Sequence, residues 1–209
     1  NLGLFYGMGK AKLQAELELD TKSEAEKLFD KYHENVPFVK ALMDSTTSDA
    51  AETGYIRTLG GRQCNFPSWE INEFRRGKLS TTGTRAEMEE RYIEKYEKDF
   101  PEATEEKIKL IKEELKENED QKYIKRAFTY KALNKLIQGS AADMTKTAMV
   151  NLYKEGIVAH IQIHDELDIS IESDEKAKKI IEIMENAVKL AVPNKVDYES
   201  GKTWGDIYN

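Results

Sequence analysis

Residues 157–172 read IVAHIQIHDELDISIE, and their side chains alternate between apolar and polar. An alternation with a period of two is typical of β-strands, in which successive side chains point to opposite faces. The apolar phase contains Ile161, Ile163, Leu167, Ile169 and Ile171. The polar phase contains Gln162, His164, Glu166, Asp168, Ser170 and Glu172. The stretch therefore predicts two strands joined by a tight connection.

Asp165 interrupts this pattern because it occupies a position in the apolar phase. A carboxylate there must be desolvated unless a turn or a cation compensates it. One interpretation places Asp165 in the hairpin turn, where aspartate is common. The other is that the adjacent carboxylates of Asp165 and Glu166 hold Mg²⁺ for phosphoryl chemistry, since magnesium binds one or two protein carboxylates together with substrate phosphates. The pattern alone leaves both interpretations open.

Capping boxes of the form S/T-x-x-E begin at Thr21 and at Thr84, and each predicts the start of a helix. We expect the first helix to run to about Asn35 and a second to begin at Pro37, a residue suited to the first turn. The expected apolar face of the second helix consists of Phe38, Leu42 and Met43. Apolar residues at helical spacing after Thr84 predict two more helices in the acidic stretch.

Three further elements complete the expected fold. The string GYIRTLGGRQCNFP at 54–67 places a Gly-Gly pair between two segments that can extend, and it predicts a β-hairpin. A long helical pattern runs from about Gln121 to Tyr153 and ends at Gly156. A last helix is expected around 177–188. The fold class predicted is α+β, with a small antiparallel sheet packed on helices.

The chain of 209 residues has a formal net charge of −7. Within residues 87–120 there are 14 acidic and 7 basic residues, so the rest of the chain is neutral and does not exclude nucleic acid as a partner. The single cysteine, Cys64, cannot form an internal disulfide. No Cys or His cluster has the spacing of a zinc site, and no apolar run approaches the length of a membrane span. We expect a cytoplasmic protein without a membrane partner.

Two more segments of the sequence contain motifs that bear on the function of the predicted hairpin. Residues 1–9, NLGLFYGMG, resemble the end of the motif B helix of family A DNA polymerases, the polymerase I type, which usually reads NFGxxYGM. Residues 132–143, ALNKLIQGSAAD, resemble the helix of the same family with the pattern NxxxQGTAAD. The segment QIHDEL at 162–167 follows in the order of the family, and weaker matches are collinear: KYHENVPFVK at 31–40, GYIRTLGGR at 54–62 and GKTW at 201–204.

The resemblance covers nearly the whole chain except about 68–122. It implies three segments: the end of the fingers at 1–67, an acidic helical insertion at 68–122, and a palm at 123–209. The insertion is expected at the periphery, because its like charges would repel phosphates near an active centre. The insertion and the variant ALNxLIQ suggest a phage-encoded member, located in the host cytoplasm, with a bacterial or organellar source as the alternative.

The resemblance also implies roles for individual residues. Asp165 would be one of two aspartates that hold the catalytic Mg²⁺ ions, with Glu166 as a second and lower-ranked catalytic carboxylate. Leu2, Tyr6 and Gly7 would bind the incoming nucleotide, and His164 would support the primer end. Tyr130, Asn134 and Gln138, spaced at i, i+4 and i+8, would form a polar stripe that hydrogen-bonds minor-groove acceptors common to every base pair. A solvated stripe of amides is the alternative for these three residues.

Three departures from the family pattern limit these implications. The motif A aspartate is expected upstream of Asn1, so we expect a C-terminal part of a longer chain that does not polymerise alone. Leu2 replaces an aromatic residue at the sugar contact. Tyr130 stands where relatives commonly have a basic or imidazole side chain. The implied partners are primer–template DNA, deoxynucleoside triphosphates and the upstream part of the polymerase.

Two other functions stay open from the sequence. A single-subunit RNA polymerase shares the YG and HD elements, although Glu166 after Asp165 and the intact QGSAAD argue against it. A non-catalytic half that binds duplex DNA, or docks onto a larger partner, is the alternative from another class of protein.

Overall fold

The computed structural model describes residues 2–6, 8–72, 82–117 and 122–206, without the side chain of Leu2. The helices are α1 (Leu2–Phe5), α2 (Lys10–Glu16), α3 (Lys22–Asn35), α4 (Pro37–Thr53), α5 (Arg85–Asp99), α6 (Glu105–Lys116), α7 (Ala132–Lys154) and α8 (Asp174–Glu185), with 3₁₀ turns at Thr129–Lys131 and Trp204–Asp206. The strands are β1 (Tyr55–Arg57), β2 (Gln63–Asn65), β3 (Trp69–Ile71), β4 (Ile124–Arg126), β5 (Ile161–Ile163) and β6 (Glu166–Asp168). They pair antiparallel as β1–β2, β3–β4 and β5–β6. The predicted α+β class is confirmed.

The chain divides into two compact units. Unit 1 comprises Asn1–Arg57 and Gln63–Leu136, and unit 2 comprises Thr58–Arg62 and Ile137–Asn209. The three functional segments expected at 1–67, 68–122 and 123–209 stay a prediction. Across the described ranges, none of the helices combines the length and the apolar character that crossing a membrane requires.

Both predicted capping boxes form. The Thr21 hydroxyl accepts a hydrogen bond from the Glu24 backbone N–H (3.2 Å), and the Glu24 carboxylate accepts one from the Thr21 N–H (3.4 Å). Thr84 and Glu87 exchange the same two bonds at 3.3 and 2.9 Å. Each cap satisfies backbone donors that the helix itself leaves unpaired, which typically stabilises a helix by about 1 kcal/mol. The predicted starts of α3 and α5 and the end of α3 at Asn35 are confirmed.

The predicted apolar face of α4 is wrong for Phe38 and Leu42, whereas the third predicted residue, Met43, is half-buried. Phe38 and Leu42 are exposed, whereas Val39, Thr46 and Ala50 are the buried residues of this helix. Small and β-branched side chains therefore form the contact surface, and Ala50 lets the β1–β2 hairpin approach closely. The core at this point contains Ala50, Ile56, Phe66 and Ala132.

The acidic stretch folds as α5 and α6 packed around the β3–β4 pair. Its buried core consists of Ile71, Met88, Tyr92, Ile93, Tyr96, Ile111, Leu115, Tyr123 and Ile124. The two predicted helices are confirmed, but this region is not purely helical, since Ile71 pairs with Ile124 across the two strands. The long helix expected from Gln121 is wrong over its first part, where β4 lies, and α7 begins only at Ala132. Phe128 has a φ of +64°, a left-handed conformation that cannot continue a helix.

Arg126 links β4 to α4. Its Nε donates a hydrogen bond to the Ala51 carbonyl oxygen (3.2 Å), and its guanidinium carbon lies 4.6 Å from the centre of the Trp69 ring. Burial lowers the pKa of this guanidinium, and the neighbouring charge of Arg85 lowers it further. Gly54 leaves the necessary space, because a Cβ at that position would lie 2.7 Å from the guanidinium carbon.

Unit 2 has its own apolar core at the end of α7. The predicted stop at Gly156 is confirmed, with a left-handed φ of +74° that glycine adopts without strain. The buried residues are Leu152, Ile157 and Ile180, and Leu167, Ile169, Ile171, Ile183 and Met184 pack against them. The second strand of the β5–β6 hairpin is thereby held on α7 and α8.

His33, in α3, is a buried histidine. Only 8% of it is exposed, and its ring contacts Phe29 and Tyr32 at centroid distances of 4.4 and 5.3 Å. Its Nδ1 is buried and has no hydrogen-bond partner among the described residues. Burial is the main cause that lowers the pKa of this imidazole below its ordinary 6.5.

This burial predicts a pH dependence of stability. The folded state disfavours protonated His33, so the stability from the neutral ring is present above about pH 6.5 and is lost as the pH falls below it. Replacing the ring by His33→Leu should therefore flatten the loss of the free energy of unfolding between about pH 7 and 5, measured by urea denaturation. The exposed His160 gives a matched comparison, His160→Leu, for the replacement of a histidine elsewhere in the chain. Equal slopes for all three proteins would contradict the prediction.

Candidate active site

The β5–β6 hairpin closes through two residues, His164 and Asp165. Ile163 and Glu166 face each other directly before and after this turn. His164, and not Asp165, has a positive φ, +54°. Two-residue hairpin turns of the primed types need a positive φ at a central residue, and histidine adopts a positive φ more often than most residues. The predicted tight connection between two strands is confirmed.

Because the turn contains two residues, the apolar residues before the turn and those after it lie on opposite faces of the hairpin. Residues opposite each other share a face, so Ile163 lies with Glu166 and Ile161 lies with Asp168. Ile161 and Ile163 are 46% and 38% exposed, whereas Leu167 packs on the core of unit 2. Apolar residues that share a phase in the sequence therefore lie on different faces of the hairpin, because partners across the turn differ by an odd number of positions.

Asp165 lies at the tip of this hairpin, and its side chain is exposed. It belongs to neither strand, so the expected conflict between its carboxylate and an apolar face does not arise. The turn interpretation and the metal interpretation are therefore compatible. Glu166, the first residue of β6, is also exposed, which leaves two neighbouring carboxylates at one end of the hairpin.

These carboxylates fit part of a magnesium site. Magnesium in phosphoryl-transfer sites commonly binds one or two protein carboxylates and completes its coordination with water and substrate phosphates. Asp165 and Glu166 offer donors of that kind. Among the described residues, no group of three or more His, Cys, Asp or Glu side chains is arranged to hold a metal ion. A third carboxylate of the hairpin, Asp168, has its Oδ2 buried without a hydrogen-bond partner in the described part of the chain.

The predicted polar stripe is only partly helical. Asn134 and Gln138 lie four residues apart in α7, and both side chains are exposed. Tyr130 is exposed as well, but it precedes α7 and lies in the 3₁₀ turn Thr129–Lys131. The prediction that all three share one helix is therefore wrong for Tyr130, because the left-handed backbone at Phe128 delays the start of α7. The minor-groove role of the three residues stays a prediction.

The structure describes only some of the residues that were predicted to bind the nucleotide. Tyr6 follows α1 in unit 1, partly buried, with its ring 5.5 Å from that of Phe5 in an edge-to-face contact. Leu2 is the first residue of α1, and Gly7 lies outside the described residues. The roles of these residues, and of the exposed His164 at the primer end, stay predictions.

Asp143 lies in α7 close after Gln138 and is not among the site residues that the sequence predicts. Its carboxylate accepts hydrogen bonds from the Thr58 hydroxyl and from Nε of Arg62 (2.9 Å). The Thr58 hydrogen bond is the main cause that holds the pKa of the Asp143 carboxyl below its ordinary range; Arg62 adds to this, and burial opposes it. A signal was available, because GYIRTLGGR and QGSAAD both carry the family resemblance, but nothing in the sequence shows that the two segments touch.

Comparisons with known proteins agree on one family. A family model described as DNA polymerase family A matches residues 1–206. A DNA-directed DNA polymerase of Pseudomonas phage M6 is 29% identical over 98% of this chain and 28% of its own length. DNA polymerase I of Bacillus caldotenax is 30% identical over 99% of this chain and 19% of its own length. The chain thus spans less than a third of these relatives.

A solved structure has the same fold. It is described as the POL domain of Pol1 from M. smegmatis in complex with DNA primer-template and dNTP, and it aligns with a TM-score of 0.64 at 24% identity. The alignment covers 100% of this chain and 30% of that one. At this identity the likeness shows the fold.

The left-handed turn gives a stability prediction for the hairpin. A β-branched side chain at a positive φ is strained, so His164→Val should lower the free energy of unfolding by about 1–2 kcal/mol. His164→Asn should stay close to wild type, because asparagine tolerates this conformation. Urea denaturation measures both, and His160→Val is the control at an exposed position without a positive φ. Equal losses for valine at 160 and 164 would contradict the role of the turn.

Proposed function

The chain belongs to DNA polymerase family A, and from this premise we propose that it is part of a template-directed DNA polymerase that extends a primer at its 3′ end with deoxynucleotides. The observation that carries the proposal is the exposed carboxylate of Asp165, at the two-residue turn of an antiparallel hairpin, inside the segment that matches the family. An exposed turn gives this carboxylate access to a cation and to a bound triphosphate.

Asp165 would hold Mg²⁺ on the protein side, and Glu166 is the neighbouring carboxylate that could assist it. When bound, a pair of magnesium ions activates the primer hydroxyl and neutralises charge on the transferred phosphate. The contribution of the chain is geometric: the hairpin holds the carboxylate at a fixed tip, and the core under β6 limits its movement. Positioning of this kind supplies much of the rate enhancement in phosphoryl transfer.

Other residues would bind the two substrates. Asn134 and Gln138 would donate hydrogen bonds to minor-groove acceptors, which are common to all correct base pairs. Tyr130 and His164 would contact the primer–template, and the segment that contains Leu2, Tyr6 and Gly7 would contact the nucleotide. The exposure of Tyr130, Asn134, Gln138 and His164 supports these assignments, and the DNA and dNTP named for the similar solved structure support the choice of partners.

The upstream part of the polymerase would supply the second metal-binding aspartate, so the 209-residue chain alone should be inactive.

We propose a cytoplasmic location, in the host cell if the protein is phage-encoded, as the phage relative suggests. The acidic α5–α6 region would lie away from the active centre, because its charge repels phosphate. A non-catalytic, DNA-binding half of a replication protein is the remaining alternative. The match to DNA polymerase family A argues against a single-subunit RNA polymerase.

Replacement of the metal-binding carboxylate tests the proposal. Asp165→Asn keeps the shape of the side chain but removes its charge, so in the complete polymerase it should lower Mg²⁺-dependent single-nucleotide incorporation at least about a hundredfold. DNA affinity and the unfolding midpoint should stay at wild-type values. Glu172→Gln is the matched control, since Glu172 is an exposed carboxylate shortly after the same hairpin.

Wild-type incorporation by Asp165→Asn would remove Asp165 from the site and favour the non-catalytic alternative. The same assay on the 209-residue chain alone should show no extension, and measurable extension would contradict its proposed dependence on the upstream part.

A further inference from the structure

The loop between β1 and β2 is fastened to one turn of α7 by four hydrogen bonds. Thr58 and Arg62 both donate to the Asp143 carboxylate, and the Leu59 backbone N–H donates to the Ser140 hydroxyl at 2.9 Å. Arg62 also donates through Nη2 to the Gly139 carbonyl oxygen at 2.9 Å. We call the loop 58–62 with the helix turn 139–143 the loop clamp. All of its residues belong to unit 2.

The guanidinium of Arg62 spans a full turn of the helix. Two of its three nitrogens, Nη2 and Nε, donate to the carbonyl oxygen of Gly139 and to the carboxylate of Asp143, which are four residues apart in α7. A rigid planar fork is suited to two separate acceptors, whereas a lysine ammonium carries its three donors on a single atom. The contact therefore fixes both the position and the rotation of the turn that follows Gln138.

Close packing adds to this restraint. A Cβ on Gly60 would lie 2.9 Å from Oδ2 of Asp143, so only glycine allows the loop to approach this far. Gly61 has a left-handed φ of +81°, which suits the reversal of the chain. The Thr58 hydroxyl also accepts a hydrogen bond from the Arg62 N–H at 3.0 Å, which braces the loop internally.

Stability alone is a weak reason for such a contact. The side chain of Arg62 is 46% exposed, compared with 14% for Asp143. Ion pairs with one exposed partner contribute little to folding, whereas a misplacement of about 1 Å in a binding group can lower a reaction rate by about a hundredfold. The restraint acts on the helix turn adjacent to an exposed amide, so its larger effect should be on what that amide binds.

We propose that the loop clamp positions Gln138 against the minor groove of the primer–template duplex. This inference rests on the proposed function, and it makes Thr58, Arg62 and Asp143 positioning residues rather than catalytic ones. Gln138 directly precedes Gly139, so the clamp sets where its amide lies relative to the duplex. Loss of the clamp should weaken extension from a correctly paired end, where the amide makes its hydrogen bond, more than extension from a mismatched end.

The test uses two disruptive variants and two matched controls in the complete polymerase. Arg62→Lys keeps the positive charge but removes the planar guanidinium. Thr58→Val removes the hydroxyl with little change in the shape of the side chain. Thr58→Ser restores the hydroxyl. Glu155→Gln breaks a comparable ion pair, between Glu155 and Lys179 at 2.7 Å, about 25 Å along the helix from Gln138. Single-turnover extension from matched and mismatched primer ends and the unfolding midpoint are measured for each variant, with and without Gln138→Ala.

Arg62→Lys and Thr58→Val should each slow extension from matched ends about threefold to tenfold, with a smaller effect on mismatched ends. Thr58→Ser and Glu155→Gln should stay at wild-type rates. In the Gln138→Ala background the two disruptive variants should cause no further loss, because the group they position is gone. If Arg62→Lys does not fold, the two Thr58 variants carry the same comparison.

Additive losses in the Gln138→Ala background would overturn the positioning role and leave the proposed function intact. The positioning role would also be overturned if the losses of extension rate parallel decreases in the unfolding midpoint and Glu155→Gln reproduces them. Such losses would indicate a general effect on stability. Wild-type rates for Gln138→Ala alone would overturn the minor-groove contact and the clamp together. The assignment of Asp165 is tested separately by Asp165→Asn.

Discussion

The left-handed backbone at His164 fixes the arrangement on which the rest of the hairpin depends. A positive φ at this residue allows two residues to reverse the chain, and that short turn sets the register in which Ile163 faces Glu166. The register turns Leu167 toward the core of unit 2 and leaves Asp165 at an exposed tip. A turn one residue longer would exchange the two faces of β6 and expose the apolar residues that now hold the strand. The strain of one residue is thus offset by the packing of the strand that follows it.

Elsewhere in the chain, polar contacts add to apolar packing in holding short elements. Arg126 joins β4 to α4 through a carbonyl and the Trp69 ring, and the loop clamp joins residues 58–62 to α7. Glycines permit both contacts, at Gly54 and at Gly60. The acidic α5–α6 region shares its core with the β3–β4 pair, and the charge of Arg85 in α5 acts on Arg126.

Short sequence motifs correctly predicted the helix ends that depend on interactions between neighbouring residues. The capping boxes, the first-turn Pro37 and the stop at Gly156 depend on hydrogen bonds and dihedral angles within a few residues, and these predictions are confirmed. Two of the errors concern contacts that are distant in sequence. β4 was hidden in a helical pattern because its partner β3 lies more than fifty positions earlier, and Asp143 was overlooked because Thr58 lies 85 residues away. The catalytic and DNA-binding roles came from the family resemblance, since an exposed aspartate in a turn does not reveal its ligand.

The central claim is that the exposed tip at Asp165 holds a divalent cation next to the primer end. With hydrogen peroxide and ascorbate added, Fe²⁺ bound in place of Mg²⁺ is oxidised to Fe³⁺ as it reduces the peroxide to hydroxide and a hydroxyl radical, ascorbate regenerates the Fe²⁺, and the radical cuts the backbone close to the bound ion. In the complete polymerase with primer–template and dNTP, this account predicts cleavage within a few residues of Asp165, suppressed by excess Mg²⁺ and absent in Asp165→Asn. Cleavage only at sites remote from the hairpin, unchanged by Asp165→Asn, would contradict it.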